Sequence, residues 1–109
     1  MPEVIPLEDL RRSPTACLFE GGDRAPVSMF VVTYEQGRKV NQHLHPYAEV
    51  FLVEAGVAEF EVDGEKLRVP AGNFVVVPAD TPHGFANKEA ETLRVVSVHP
   101  SPHVVQTDL

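Results

Sequence analysis

The sequence predicts an all-β sandwich or barrel with little or no helix, and three observations carry that reading. Short apolar runs recur near residues 15–20, 27–35, 49–54, 57–62, 66–69, 73–77, 82–86, 92–98 and 103–106. Turn-forming groups separate them: Gly21-Gly22-Asp23, Ala55-Gly56, Asp63-Gly64, Ala71-Gly72 and Ala79-Asp80. Hardly any stretch carries the 3.6-residue period of an amphipathic helix, and many short strands between regular turns are the mark of such β folds.

Residues 1–14 read as a polar N-terminal arm, in which Pro6 to Arg12 is the one helical candidate, about a turn long. Residues 15–109 read as a single domain. The stretch Gly37 to His45 lacks helical periodicity and reads as extended; Pro46, which has no N–H to give to a ladder, ends or bends it. Glu49-Val50-Phe51-Leu52-Val53 opens the next strand. Asp63-Gly64 lies between alternating residues and predicts a hairpin joining Ala58–Val62 to Glu65–Val69. The apolar strand Phe74 to Val77 leads into a Pro78-Ala79-Asp80-Thr81-Pro82 turn, which delivers His83 at the head of a further strand. The strand Leu93 to Val98 ends at His99.

Two strands, Val50–Val53 and Phe74–Val77, have no polar alternate. Neither face of such a strand rests in water at low cost, so one face is expected to line the interior and the other to be covered. A second copy is the expected cover, making a homodimer; the N-terminal arm or a second sheet is the alternative.

At 109 residues, 43% of them hydrophobic, the chain has the size and composition of one ordinary globular domain. Its formal net charge is -7 and no basic cluster exceeds Arg11-Arg12, which speaks against nucleic acid or an anionic membrane surface as a partner. No apolar stretch approaches the roughly 20 residues of a spanning helix. The first residues lack the cationic lead and apolar run of a secretory signal. The single cysteine, Cys17, leaves no internal disulfide, so a cytoplasmic address is the expectation.

The most informative feature is chemical. His43 and His45 lie two apart, so on an extended strand they project from one face; Glu49 follows four residues later and His83 arrives on a distant strand. Two imidazoles and a carboxylate at that spacing can converge on one metal ion, although a His-x-His pair is also common on a solvated strand edge.

The two segments resemble the paired motifs of the cupin superfamily. Gly37, His43, His45, Glu49 and Gly56 fit the first motif with a three-residue gap before the glutamate. Gly72, Pro78, His83 and Asn87 fit the second, with Asp80 standing where many members carry glycine. The motifs and the segment between them span residues 37–87. The resemblance implies a small jelly-roll β-barrel, a double-stranded β-helix. It further implies that His43, His45, Glu49 and His83 hold one divalent transition metal per chain. Imidazole and carboxylate suit Zn, Mn, Fe, Ni or Co, and four protein ligands leave positions open for a small molecule.

Parity suggests what surrounds such a site. Phe85 and Asn87 share the face of His83, Phe51 and Val53 share that of Glu49, and Asn41 shares that of His43 unless a bulge intervenes. These five are the candidate pocket residues, with plain core as the competing reading. His99, at a strand end, is the candidate proton donor or acceptor. Nothing in the spacing assigns a role to Tyr34, Tyr47 or Cys17, and His103 is expected to be solvated. The resemblance implies a metal-dependent enzyme acting on a small organic molecule, of dioxygenase, isomerase, decarboxylase or cyclase type. A non-catalytic module binding or sensing a sugar or another small molecule is the alternative.

Overall fold

The computed structural model describes all 109 residues. After a short 3-10 turn at Leu7–Leu10 come eleven strands. They are β1 Arg11–Ser13, β2 Ala16–Glu20, β3 Ser28–Tyr34, β4 Lys39–Leu44, β5 Glu49–Ala55 and β6 Val57–Val62. β7 Glu65–Pro70, β8 Phe74–Val77, β9 His83–Ala86, β10 Leu93–His99 and β11 Thr107–Asp108 complete the set. All pairings are antiparallel, in one sheet of order β1-β2-β3-β10-β5-β8 and a second of order β11-β4-β9-β6-β7. This is the all-β double-stranded β-helix that the motifs imply.

The arm is partly structured: Arg11 pairs with Cys17, and the 3-10 turn packs on β2. The apolar run near 103–106 is irregular, and the strand falls just beyond it, at Thr107–Asp108. Asp63-Gly64 makes the expected hairpin between β6 and β7, with both residues at positive φ. Asp80 adopts φ 57, the left-handed conformation that glycine takes without strain and aspartate tolerates.

The core lies between the sheets, where Phe51, Val53 and Val77 of the first meet Ala58, Phe60, Val69 and Phe85 of the second, with Leu93 and Val95 of β10. Strand alternation is clear in β10, whose burial switches at every residue. The opposite face of the first sheet is different from an ordinary solvated face. Its register stacks Val31, Val96, Leu52 and Phe74 in one row across β3, β10, β5 and β8, and Met29, Val98, Val50 and Val76 in the next. Every residue in both rows is apolar. At the β8 edge nothing in the chain covers them: Phe74 is 68% and Val76 64% exposed.

Candidate metal centre

Three strands bring the ligand candidates together. β4 carries His43 and β9 carries His83, and the two residues are direct cross-strand partners. His45 follows β4 immediately, and Glu49 begins β5 from the opposite sheet. All four are buried, and one donor atom from each lies within 4.8 Å of every other. Two ligands at right angles, each about 2.1 Å from a metal, would stand about 3.0 Å apart. Glu49 Oε1 lies 3.0 Å from His83 Nε2 and 3.1 Å from His45 Nε2, which matches that edge length.

The hydrogen bonds on the far side of each ring decide the tautomers. His43 Nδ1–H donates to the Asn41 carbonyl at 2.7 Å, His83 Nδ1–H to the Thr81 carbonyl at 2.8 Å, and His45 Nδ1–H to the Val105 carbonyl at 2.8 Å. A neutral imidazole with its proton on Nδ1 has a bare lone pair on Nε2. Lone pairs aimed at the Glu49 carboxylate repel it unless a proton or a cation lies between. His45 Nε2 is buried and off the line of any hydrogen bond, although Glu49 is near. The residues therefore fit a divalent cation, with neutral imidazoles and a carboxylate as donors and backbone carbonyls fixing the rings.

Without a cation, protons serve instead. Burial pulls the His45 pKa down, but the Glu49 carboxylate and the Val105 carbonyl outweigh it, and the net shift is upward. Burial lowers that of His43, helped by the neighbouring histidines and only partly offset by its bond to Asn41. Burial alone would raise the Glu49 pKa; the rings of His45, His83 and His99 reverse this and hold the carboxyl far below its ordinary range.

His99 differs from the other three. Tyr47 Oη accepts the Val105 N–H at 3.2 Å, so its own hydrogen goes to His99 Nδ1 at 2.8 Å. That leaves the ring proton of His99 on Nε2, which lies 2.9 Å from Glu49 Oε2 but out of line for a good hydrogen bond. His99 thus stands beside the cluster as a donor. Tyr47, which the spacing left without a role, is brought to it from 52 residues away in sequence. Val105, in the segment after β10, was likewise not signalled, because the contact is made by its backbone.

A cavity of about 280 Å³ opens on His43 and Glu49. Phe30, Val32, Tyr34, Val40, Phe51 and Phe85 make its apolar wall, and Ser97, His99 and Gln106 stand among its polar groups. No lysine or arginine lines it. Of the five pocket candidates, Phe51 and Phe85 lie on it. Val53 is fully buried in the core beneath. Asn87 is fully buried too, and it ties a turn: its amide donates to the Tyr34 and Glu91 carbonyls, and its oxygen accepts from the Glu89 N–H.

Asn41 lies outside. Val40 pairs with Phe85 and His43 with His83, so three steps on β4 face two on β9. This bulge reverses the parity, turning Val40 inward and leaving Asn41 exposed in a surface depression beside Lys39 and Lys66. Gly84 permits the crowding: a Cβ there would meet the Val40 carbonyl oxygen at 2.7 Å.

Residues 30–99 match the cupin domain family. A polyketide synthase, CurC, of Streptomyces cyaneus is 37% identical over 67 residues, 61% of this chain and 43% of that protein. The protein SchB of Streptomyces halstedii is 32% identical over 82 residues, 74% of this chain and 59% of that protein. The matched stretches thus cover about half of these relatives' lengths. Among solved structures, a variant of Bacillus subtilis oxalate decarboxylase superposes with a TM-score of 0.81 at 22% identity, over 94% of this chain and 31% of that one. A Klebsiella pneumoniae protein with a double-stranded β-helix domain gives 0.79 at 19% identity, over 96% and 89%. Mn(II) centres are described in the Bacillus enzyme. With both motifs, the two facing sheets and the family match over residues 30–99 in agreement, the chain belongs to the cupin family.

Proposed function

We propose that this cupin is a metal-dependent enzyme acting on an uncharged, largely apolar molecule that carries neighbouring oxygens. His43, His45, Glu49 and His83 are its metal ligands. The observation that carries the reading is the meeting of those four donors within 4.8 Å of one another, with His43 and Glu49 opening onto a cavity walled by Phe30, Val32, Phe51 and Phe85. A divalent ion held there would supply Lewis-acid polarisation of a carbonyl or enol oxygen. The cavity residues do the rest: the aromatic and aliphatic wall holds the carbon skeleton and excludes water. The His99 Nε2–H, fixed by Tyr47, donates to an oxygen of the bound molecule.

The charge of the wall narrows the substrate class. A divalent ion already sharing one charge with Glu49 would meet only one of the two charges of a small dicarboxylate, and no lysine or arginine lines the cavity to meet the other. A chain of ketone groups is neutral and binds by its oxygens. The naming of the Streptomyces cyaneus relative as a polyketide synthase supports this class, and with it a cyclase or isomerase type of reaction. The two apolar rows on the first sheet, bare at their β8 end in Phe74 and Val76, support a homodimer formed through that face.

The test is metal analysis of purified protein and of its His83→Ala variant. Turnover is then measured on β-diketones, with oxalate as the charged control, after reconstitution with Mn(II), Fe(II), Zn(II) or Ni(II). Metal content unaffected by the substitution removes the site. Tight diketone binding without product makes the protein a binding module, and oxalate turnover removes the substrate class.

A further inference from the structure

We propose that the segment from Val104 to Leu109 is a strap belonging to the metal centre, so that metal occupancy and docking of the strap reinforce one another. The inference rests on the metal reading above. After β10 the chain leaves the first sheet and crosses to the second, where β11 pairs Thr107 with Leu44 and Asp108 with His43, and the Leu109 N–H donates to the Gln42 carbonyl at 3.2 Å. Midway, the Val105 backbone is bonded on both sides: its carbonyl accepts from His45 Nδ1 and its N–H donates to Tyr47 Oη. One residue's backbone therefore orients a ligand ring and, through Tyr47, the His99 ring beside the carboxylate ligand.

The strap is lightly held. Val105 is 50% exposed, every residue from Val105 to Leu109 is exposed, and only Val104 is half-buried. Its docking depends on polar bonds rather than burial, including the Val104 N–H to Glu20 Oε2 at 3.0 Å. Segments with few buried apolar contacts and exposed backbone bonds open at low free energy. A shared bond then couples the two equilibria. A cation drawing on His45 Nε2 makes Nδ1–H a stronger donor to Val105, and a docked Val105 holds the His45 lone pair on the cation. Coupling of this kind is reciprocal. Gln106 lines the cavity, so release of the strap also opens it.

The full chain tests this in two measurements with Co(II) as probe, bound metal being read by its visible absorption. In the first, amide hydrogen exchange is followed with and without Co(II). Exchange at Val105 and Leu109 is expected to slow several-fold on binding, while amides of β7 stay as they were. Equal rates at Val105 and Leu109 in the two states overturn the coupling. In the second, the Tyr47→Phe variant, which removes the acceptor of the Val105 N–H, is expected to bind Co(II) about 10-fold more weakly, the lower end of the range for groups that orient metal ligands. A merely structural Tyr47 would lower the melting temperature and leave the affinity alone, so affinity within twofold of the parent overturns the coupling as well. A parent chain that binds neither Co(II), Mn(II) nor Zn(II) overturns the metal reading and this inference with it. Co(II) binding with unchanged exchange overturns this inference alone.

Discussion

Glu49→Gln keeps the shape of the one anionic residue in the proposed metal site and removes its charge, so it separates the metal centre from the fold around it. At a metal concentration 100 times the dissociation constant, binding to the folded state alone stabilises the parent by about 2.7 kcal/mol. For a domain of this size each kcal/mol moves the melting temperature by about 4 °C, so the parent melts about 10 °C higher with metal than without. Removing a group that merely orients a metal ligand costs 10–100-fold in affinity, and losing the carboxylate itself belongs at the upper end or beyond. At the same metal concentration a 100-fold weaker variant is half saturated and gains only about 0.4 kcal/mol, or about 2 °C. The apo variant is itself destabilised, because His45, whose pKa the carboxylate raises, loses the buried negative charge 3.1 Å from its Nε2, worth about 1–3 kcal/mol. The decisive quantity is therefore the metal-dependent increment, measured by thermal melting of both proteins with and without Mn(II) or Zn(II). An increment of similar size in the parent and in Glu49→Gln would refute the placement of the metal on Glu49; the absence of any increment in the parent would refute the site.

Metal affinity should rise with pH and then level off. The apo protein binds protons at His45 that the metal-bound protein does not, so protons compete with the cation; because the His45 pKa is raised above its usual 6.5, weakening should begin above that pH, while the lowered His43 adds nothing until the medium is more acidic. A titration series from pH 5.5 to 8 that gives one constant affinity contradicts this. Gly56→Ala should destabilise by at least about 1–2 kcal/mol, since the residue adopts φ +76 and a Cβ would lie 2.6 Å from the Thr92 carbonyl oxygen; thermal melting close to the parent would show that the β5–β6 turn is free to shift. Light scattering at micromolar concentration should give twice the 12.0 kDa chain mass, and Val76→Lys, which plants a charge in the apolar row, should return it to one; a monomeric parent ends the dimer proposal.

What could be read from the sequence was what is local. His-x-His parity, the Asp63-Gly64 hairpin and the proline-framed turn before His83 each depend on a few neighbouring residues, and each appears in the fold. Parity failed where the β4 bulge broke it: the bulge lies against Gly84 of β9, where a Cβ would meet the Val40 carbonyl oxygen, and Asn41 faces away from the cavity. Asn87 belongs to a motif, and its position was legible, but its work is to satisfy three backbone groups that come together only in the folded turn. Tyr47 and Val105 were beyond sequence reading altogether. One acts across 52 residues, and the other through a peptide group that every residue possesses.

The strands of the first sheet serve two surfaces at once, and this ties the proposed dimer to the proposed chemistry. Along β5, Glu49, Phe51 and Val53 point inward while Val50 and Leu52 point outward; along β10, Ser97 and His99 point inward while Val96 and Val98 point outward. Glu49 and His99, whose side chains lie 2.9 Å apart, thus stand on two paired strands whose outer residues belong to the apolar rows that end bare at Phe74 and Val76. A partner seated on those rows would desolvate the outer face and restrain both strands, without touching either site residue. The Glu49–His99 geometry should then be sharper in the dimer than in a Val76→Lys monomer, so the variant is expected to lose metal affinity although its substitution lies on the opposite side of the sheet. Unchanged Co(II) affinity in a proven monomer would show that the inner face needs no support from the outer one.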